Sequence, residues 1–172
     1  MLSTMPDYPL TVLSIFEHGA RIHAESEVAT WTGDGVRRAR FREVAARVAK
    51  LAAALNRIGI RPGERVGTLC WNTQEHLEAY FAVPCMGAVL HTLNLRLFSE
   101  QLAYIINHAE DRVVIVDGSL VPVLARIAKD LKSVERYIVI GPEDGLPGEV
   151  LRYEDLLAAE QPEYGWPPVD ER

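Results

Sequence analysis

The stretch "NTQEHLEAYFAVPCMGAVLHTLNLRL", Asn72 to Leu97, decides how the rest of the chain is read. Asn72 is suited to cap a helix, and Glu75 stands three residues on, where a capping box places its partner. The expected helix runs to about Met86. Pro84 falls inside it and has no N–H for the Tyr80 carbonyl, so a kink is expected there. Gly87 ends the helix, and "AVLHTL", Ala88 to Leu93, reads as a strand. Just upstream, the turn "RPGERV" leads into another short apolar strand, Val66 to Cys70. Strand, helix and strand in such close succession fit one right-handed βαβ unit with parallel strands.

The alternation continues downstream. Ser99 is placed to cap the helix "EQLAYIINHA". "RVVIVD", Arg112 to Asp117, is an unbroken apolar run of the kind buried on both faces of a sheet. "GSLVPVLARIAKDL" reads as one helix with Pro122 in its tolerant first turn. "ERYIVIG" is a strand, "PEDGLPGE" a loop and "LRYEDLLAAE" a short helix.

Upstream, Val44, Val48, Leu51, Leu55 and Ile58 recur at helical spacing, and Gly59 supplies a left-handed C-terminal cap. "EVATWTGDGVRRARF", Glu27 to Phe41, places a glycine-rich turn between two strand-like runs, a hairpin signal. Leu10 to Ile22 has helical periodicity. The expected class is α/β, a three-layer sandwich with a mainly parallel sheet, preceded by an N-terminal helix and a β-hairpin. Residues 1–160 are expected to form the domain and 161–172 a Pro-rich tail.

A chain of 172 residues buries about 70% of its unfolded surface, enough for a core without staples. The net charge of −6 argues against a nucleic-acid footprint, which needs a basic face. No apolar run reaches the roughly 18 residues of a membrane span. The start, "MLSTMPDYPL", lacks the basic and apolar regions of a secretory signal. Cys70 and Cys85 form no C-x-x-C pair and are expected as buried free thiols in a reducing cytoplasm.

The chemistry is harder to find. Neither G-x-x-x-x-G-K-[ST] nor G-x-G-x-x-G occurs. In "GIRPGERVG", Gly59 caps a helix, Gly63 makes a turn and Gly67 lies in a strand. None of the five histidines stands at the i, i+4 spacing of a zinc helix. G-x-S-x-G is absent too, and capping explains Ser99 and Ser119. No catalytic residue and no metal ligand is assigned. Glu75 is expected in the cap and Glu78 in solvent. "RRAR", Arg37 to Arg40, reads as a solvated strand face, with an anion grip as the alternative.

One positional rule does point to a site. In open α/β sheets, ligands bind beyond the carboxyl ends of the strands. The substrate-binding candidates are therefore Trp71 and Asn72 after one strand, and Asn94 and Arg96 after the next. Asp117-Gly118 follows the third. His91, mid-strand, joins them as a candidate, although a hydrogen-bonded histidine in the sheet is the favoured reading. The structural alternatives are a capping Asn72 and an ion-paired Arg96.

"HLEAYFAVPCMGAVLHTLNLRL" and "EQLAYIINHAEDRVV" resemble the N-terminal region of the acyl-adenylate-forming enzymes. The likeness extends over about residues 8–160 and is greatest to the medium- and long-chain fatty-acid CoA ligases. It implies a reaction in which a carboxylic acid and ATP give an acyl-adenylate and pyrophosphate, and coenzyme A then displaces AMP. Mg²⁺ would shield the phosphates. The family's phosphate loop, T-S-G-T-T-G-x-P-K-G, does not occur here, nor do its later Y-G-x-T-E segment, ribose-binding aspartate, hinge and C-terminal lysine.

The resemblance thus implies an N-terminal fragment, inactive alone. ATP, Mg²⁺, CoA and a fatty acid would serve the full-length enzyme, and no cofactor is expected on the fragment. The alternative is a stand-alone binding or oligomerisation module on the same scaffold. Dimerisation through N-terminal regions in such enzymes makes a homodimer compatible with either reading. Cytoplasmic location is expected, with peripheral membrane contact compatible.

Overall fold

Val113 and Ile115 point to one side of a sheet, Val114 and Val116 to the other, and all four are buried. A strand covered on both faces needs a layer of helices above and below. The computed structural model, which describes residues 9–170, supplies both. Its elements begin with α1 (Val12–Ile22), β1 (Glu27–Trp31), β2 (Val36–Arg40) and α2 (Phe41–Arg57). The central βαβ unit is β3 (Arg65–Leu69), α3 (Gln74–Cys85) and β4 (Val89–Thr92). α4 (Ser99–Ala109), β5 (Val113–Asp117), α5 (Val121–Ala125), β6 (Arg136–Ile140), β7 (Glu149–Arg152) and α6 (Tyr153–Ala158) complete the order.

The five-stranded sheet runs β4-β3-β5-β6-β7 with every pair parallel. β1 and β2 form a separate antiparallel hairpin. One face of the sheet carries α1, α2, α3 and α6, packed over Val66, Val113, Ile115 and Ile138. The other carries α4 and α5 over Leu69, Val114, Val116 and Val139. The expected three-layer α/β sandwich is therefore present, hairpin included.

Local departures from expectation have local causes. Thr73, not Asn72, caps α3: its Oγ1 accepts from the His76 N–H. That leaves Glu75 free of capping. Phe98, not Ser99, is the N-cap of α4, and Gln101 Oε1 reaches back to accept the Phe98 N–H at 3.3 Å. Pro84 lies in the final turn of α3, which ends one residue later.

The long helix expected from Gly118 is instead a 3₁₀ turn, the five-residue α5 and a second 3₁₀ turn. Asp117 Oδ1 accepts from Ser119 N–H and tightens the start. Asn107 of α4 holds the far end, donating to the Asp130 carbonyl and accepting from the Lys132 N–H, both at 2.8 Å. Such side-chain bonds to the backbone compete with helical ones.

The short strand β7 was not expected either. It passes directly into α6 with no turn residue between, so no punctuation marks it. Beyond α6 the chain folds back. Trp166 packs edge-on against Phe16 of α1, with ring centroids 5.7 Å apart, and also against Tyr164.

Candidate functional site

The carboxyl ends of β3 and β5 are tied to each other by side chains. Trp71 Nε1 donates to Ser119 Oγ at 2.9 Å, and Ser119 Oγ donates to Asp117 Oδ1 at 2.7 Å. Half of Trp71 remains exposed beyond β3. Beyond β4, Asn94 Oδ1 accepts from the Arg96 N–H at 2.9 Å, which fixes the turn. Arg96 itself is exposed and makes no ion pair among the described residues, so the expected structural salt bridge is absent.

Asn72 is exposed and lines a 260 Å³ cavity between β1 and α3, together with Thr30, His76 and Tyr80. His76 is one of the five histidines without metal-ligand spacing, and the sequence assigns it no site. Its Nδ1 faces the Trp71 carbonyl at 3.2 Å and its Nε2 faces Thr68 Oγ1 at 3.0 Å. A carbonyl only accepts, so Nδ1 carries the proton and Thr68 donates to Nε2. Burial pushes the imidazole below its usual range, against the pull of the Trp71 carbonyl, consistent with that neutral tautomer.

His91 belongs to a different network. It points to the α4 side of the sheet, where its Nδ1 lies 2.8 and 3.0 Å from the two carboxylate oxygens of Asp111. Asp111 is fully buried. Burial pushes its carboxyl up, while His91 and the charge of Arg65 pull the other way. This is the hydrogen-bonded sheet histidine that the sequence favoured.

Other charged groups are also paired. The "RRAR" run is spent on intrachain ion pairs: Arg37 with Glu75 at 2.6 Å, Arg38 with Glu27 at 2.8 Å, and Arg40 with Glu25. Glu78, expected in solvent, has no exposed surface. It accepts from Arg47 Nε at 2.6 Å, Gln74 Nε2 at 2.8 Å and Tyr153 OH at 2.6 Å. Burial pushes its carboxyl up, and these donors oppose the push. Helical spacing alone does not show that Arg47 and Tyr153 will converge on it.

Both cysteines are buried and free, as expected. Burial pushes each thiol up to about 12, so neither supplies a thiolate near neutral pH. Among the described residues no group of three or more His, Cys, Asp or Glu is arranged to hold a metal ion. The strand ends offer one exposed guanidinium and no glycine-rich loop between strand and helix. These residues do not by themselves fit a metal-bound triphosphate.

The family described as AMP-binding enzyme matches residues 16–170. The chain belongs to this family. A 3-methylmercaptopropionyl-CoA ligase of Ruegeria lacuscaerulensis is 41% identical over 177 aligned positions, covering 99% of this chain and 33% of the relative. A medium-chain-fatty-acid–CoA ligase of Ectopseudomonas oleovorans is also 41% identical, over 99% of this chain and 32% of its own length. The chain thus spans about a third of the length of these AMP-binding relatives. The crystal structure of the anthranilate CoA ligase AuaEII with anthranoyl-AMP superposes with a TM-score of 0.82 at 24% identity, covering 99% of this chain and 31% of that one. At that identity it establishes the shared fold. The resemblance read over about residues 8–160 is borne out.

Proposed function

We propose that this chain is the N-terminal part of an ATP-dependent fatty-acid CoA ligase and has no ligase activity alone. The full-length enzyme would join a carboxylic acid to AMP from ATP, release pyrophosphate, and pass the acyl group to coenzyme A. The observation that carries this reading is the 41% identity to two acyl-CoA ligases over nearly the whole chain, which spans only a third of each relative. The absence of a phosphate loop and of a metal-ligating cluster among the described residues supports the inactivity of the part.

Within that enzyme, Trp71, Asn72, Asn94 and Arg96 lie at the strand ends and form the wall of this part that faces substrate. His91, paired with Asp111, positions the edge strand β4 rather than touching ligand. A cytoplasmic location and a homodimer fit the reading.

Two measurements test it. The reading frame should continue past Arg172 into a Ser/Thr/Gly-rich loop, whereas a natural stop codon there sinks the ligase reading and favours a stand-alone module. Calorimetric titration of the 172-residue chain with ATP and Mg²⁺ should give no heat above dilution. Clear micromolar binding would refute the inactive-part reading.

A further inference from the structure

The cavity between β1 and α3 is built on a strand edge. Val28, Ala29 and Thr30 all line it. Side chains alternate along a strand, so three successive residues share one wall only where the strand is met edge-on. The hairpin register sets the polarity of that edge. Thr32 N–H donates to the Gly35 carbonyl and Phe41 N–H to the Ser26 carbonyl, which makes Val28–Ala39 and Thr30–Arg37 the hydrogen-bonded pairs between them. The N–H and carbonyl of Ala29 therefore both point away from β2, into the cavity, and neither is bonded among the described residues.

The facing wall is held in place and is largely apolar. Gln74 N–H donates to Thr30 Oγ1 at 3.1 Å, and Arg37, opposite Thr30 in the hairpin, holds Glu75 at 2.6 Å. These two bonds set the spacing between β1 and the start of α3. Leu77 and the Tyr80 ring supply apolar surface, and His76 packs against that ring with centroids 4.9 Å apart. Thr30 is buried, and its hydroxyl, which accepts from Gln74, keeps its own proton to donate.

These features select a class of ligand. No lysine, arginine, aspartate or glutamate lines the cavity, and His76 is the neutral tautomer held by its two partners. A phosphate or carboxylate finds no counter-charge there. The volume of 260 Å³ lies below the roughly 300–1,000 Å³ of sites for drug-sized molecules. Glu27 and Trp31, the next residues whose backbone faces outward, are not in the wall. The edge thus offers one residue's donor and acceptor rather than a template for a strand. A flat neutral group with an acceptor beside a donor, as in a primary carboxamide, matches the Ala29 backbone with two hydrogen bonds.

We propose that the β1–α3 cavity is a binding site for a small neutral carboxamide, paired with the Ala29 backbone and seated against Tyr80. The site lies within the 172 residues and is independent of the ligase reading. Benzamide titrated into the isotope-labelled chain, followed by amide NMR, tests it. The Ala29, Thr30 and Leu77 amides should shift saturably, with a Kd on the order of 1 mM. Benzoate, of the same shape but charged and without N–H donors, should bind at least about tenfold more weakly.

Two variants separate the walls. Ala29→Pro deletes the outward N–H without removing a ladder bond, and should abolish the response at Thr30 and Leu77. Tyr80→Ala removes a half-exposed ring, leaves the edge intact and should weaken binding about fivefold. If Ala29→Pro does not fold, as its amide spectrum will show, Tyr80→Ala and benzoate carry the test. No saturable shift at Ala29 up to about 20 mM benzamide overturns the proposal. So does equal affinity for benzoate, or benzamide affinity unchanged in Tyr80→Ala or in a folded Ala29→Pro.

Discussion

The Tyr153 hydroxyl donates to Glu78 Oε2 at 2.6 Å across 75 residues of sequence, inside a region with almost no solvent. With Arg47 on the other carboxylate oxygen, this bond locks α2, α3 and α6 into one layer. Arg47 also reaches outward to Glu154 through two bonds, at 2.6 and 2.9 Å.

Removing the carboxylate is therefore costly. Glu78→Ala should destabilise the fold by about 1–3 kcal/mol, because the buried Tyr153 hydroxyl and Gln74 amide lose their acceptor while Arg47 keeps Glu154. Tyr153→Phe leaves an acceptor unmet and should cost about 1–3 kcal/mol. The double variant should fall short of the sum by more than about 0.5 kcal/mol. Urea unfolding measures all three, and strict additivity would show that the two residues do not share a network.

His91 and Asp111 make a similar but smaller case. His91→Ala exposes a buried carboxylate to the loss of its partner, at about 1–3 kcal/mol. Gly67 lies directly beside the pair: a Cβ there would sit 3.0 Å from Asp111 Oδ2 and 3.3 Å from Val114 Cγ2. Gly67→Ala should cost about 1–3 kcal/mol by overpacking and should couple to His91→Ala. Unfolding midpoints unchanged by His91→Ala would return that residue to the list of ligand contacts.

The start of α3 separates two neighbouring residues. Thr73→Ala removes the capping oxygen and should cost about 1 kcal/mol. Asn72→Ala should stay within about 0.5 kcal/mol, since Asn72 is exposed and does not cap. Thermal denaturation of the two variants decides between them.

Acid sensitivity should trace to carboxylates held by arginines. The hydrogen bond from Arg112 holds Glu135 below its ordinary value of 4.5, and the bond from Arg47 does the same for Glu154. A depressed folded-state value contributes stability that is present above the ordinary range and is lost as pH falls through the folded value. Wild-type stability should therefore decline on acidification below about pH 4.5, and Glu135→Gln should decline less steeply. Equal slopes in denaturant titrations across that range would remove Glu135 from the account.

The parts of the fold legible in sequence were those with a period. Val113–Val116 had to be a strand buried on both faces, and the Val44–Leu55 repeat had to be a helix, because few other structures hide those side chains. The unread parts lacked a local signal. β7 has four residues and no turn before α6, so its pairing with β6 is fixed only by the sheet. The Gly118–Asp130 segment reads as a helix until Asn107, from another element, takes hold of its backbone.

The strand-end rule did bring Trp71 into contact with the loop that begins at Asp117, through Ser119. It does not see Glu78 or His76, whose partners come from distant sequence. The positively charged "RRAR" run shows the same blindness in reverse, since its acidic partners lie on β1, on α3 and in the turn before β1.

The contact between Phe16 and Trp166 joins residues near opposite ends of the chain. During synthesis α1 leaves the ribosome well before the indole that covers Phe16. Phe16 also packs against Phe41 of α2 and Phe81 of α3, with ring centroids 6.4 and 5.3 Å apart, so α1 can dock on those helices while one side of Phe16 waits for its cover. Closing so long a loop also raises the contact order, which slows the final docking step relative to the local helices. A nascent chain arrested before Trp166 should thus hold a formed sheet and a docked first helix with Phe16 uncovered on one side.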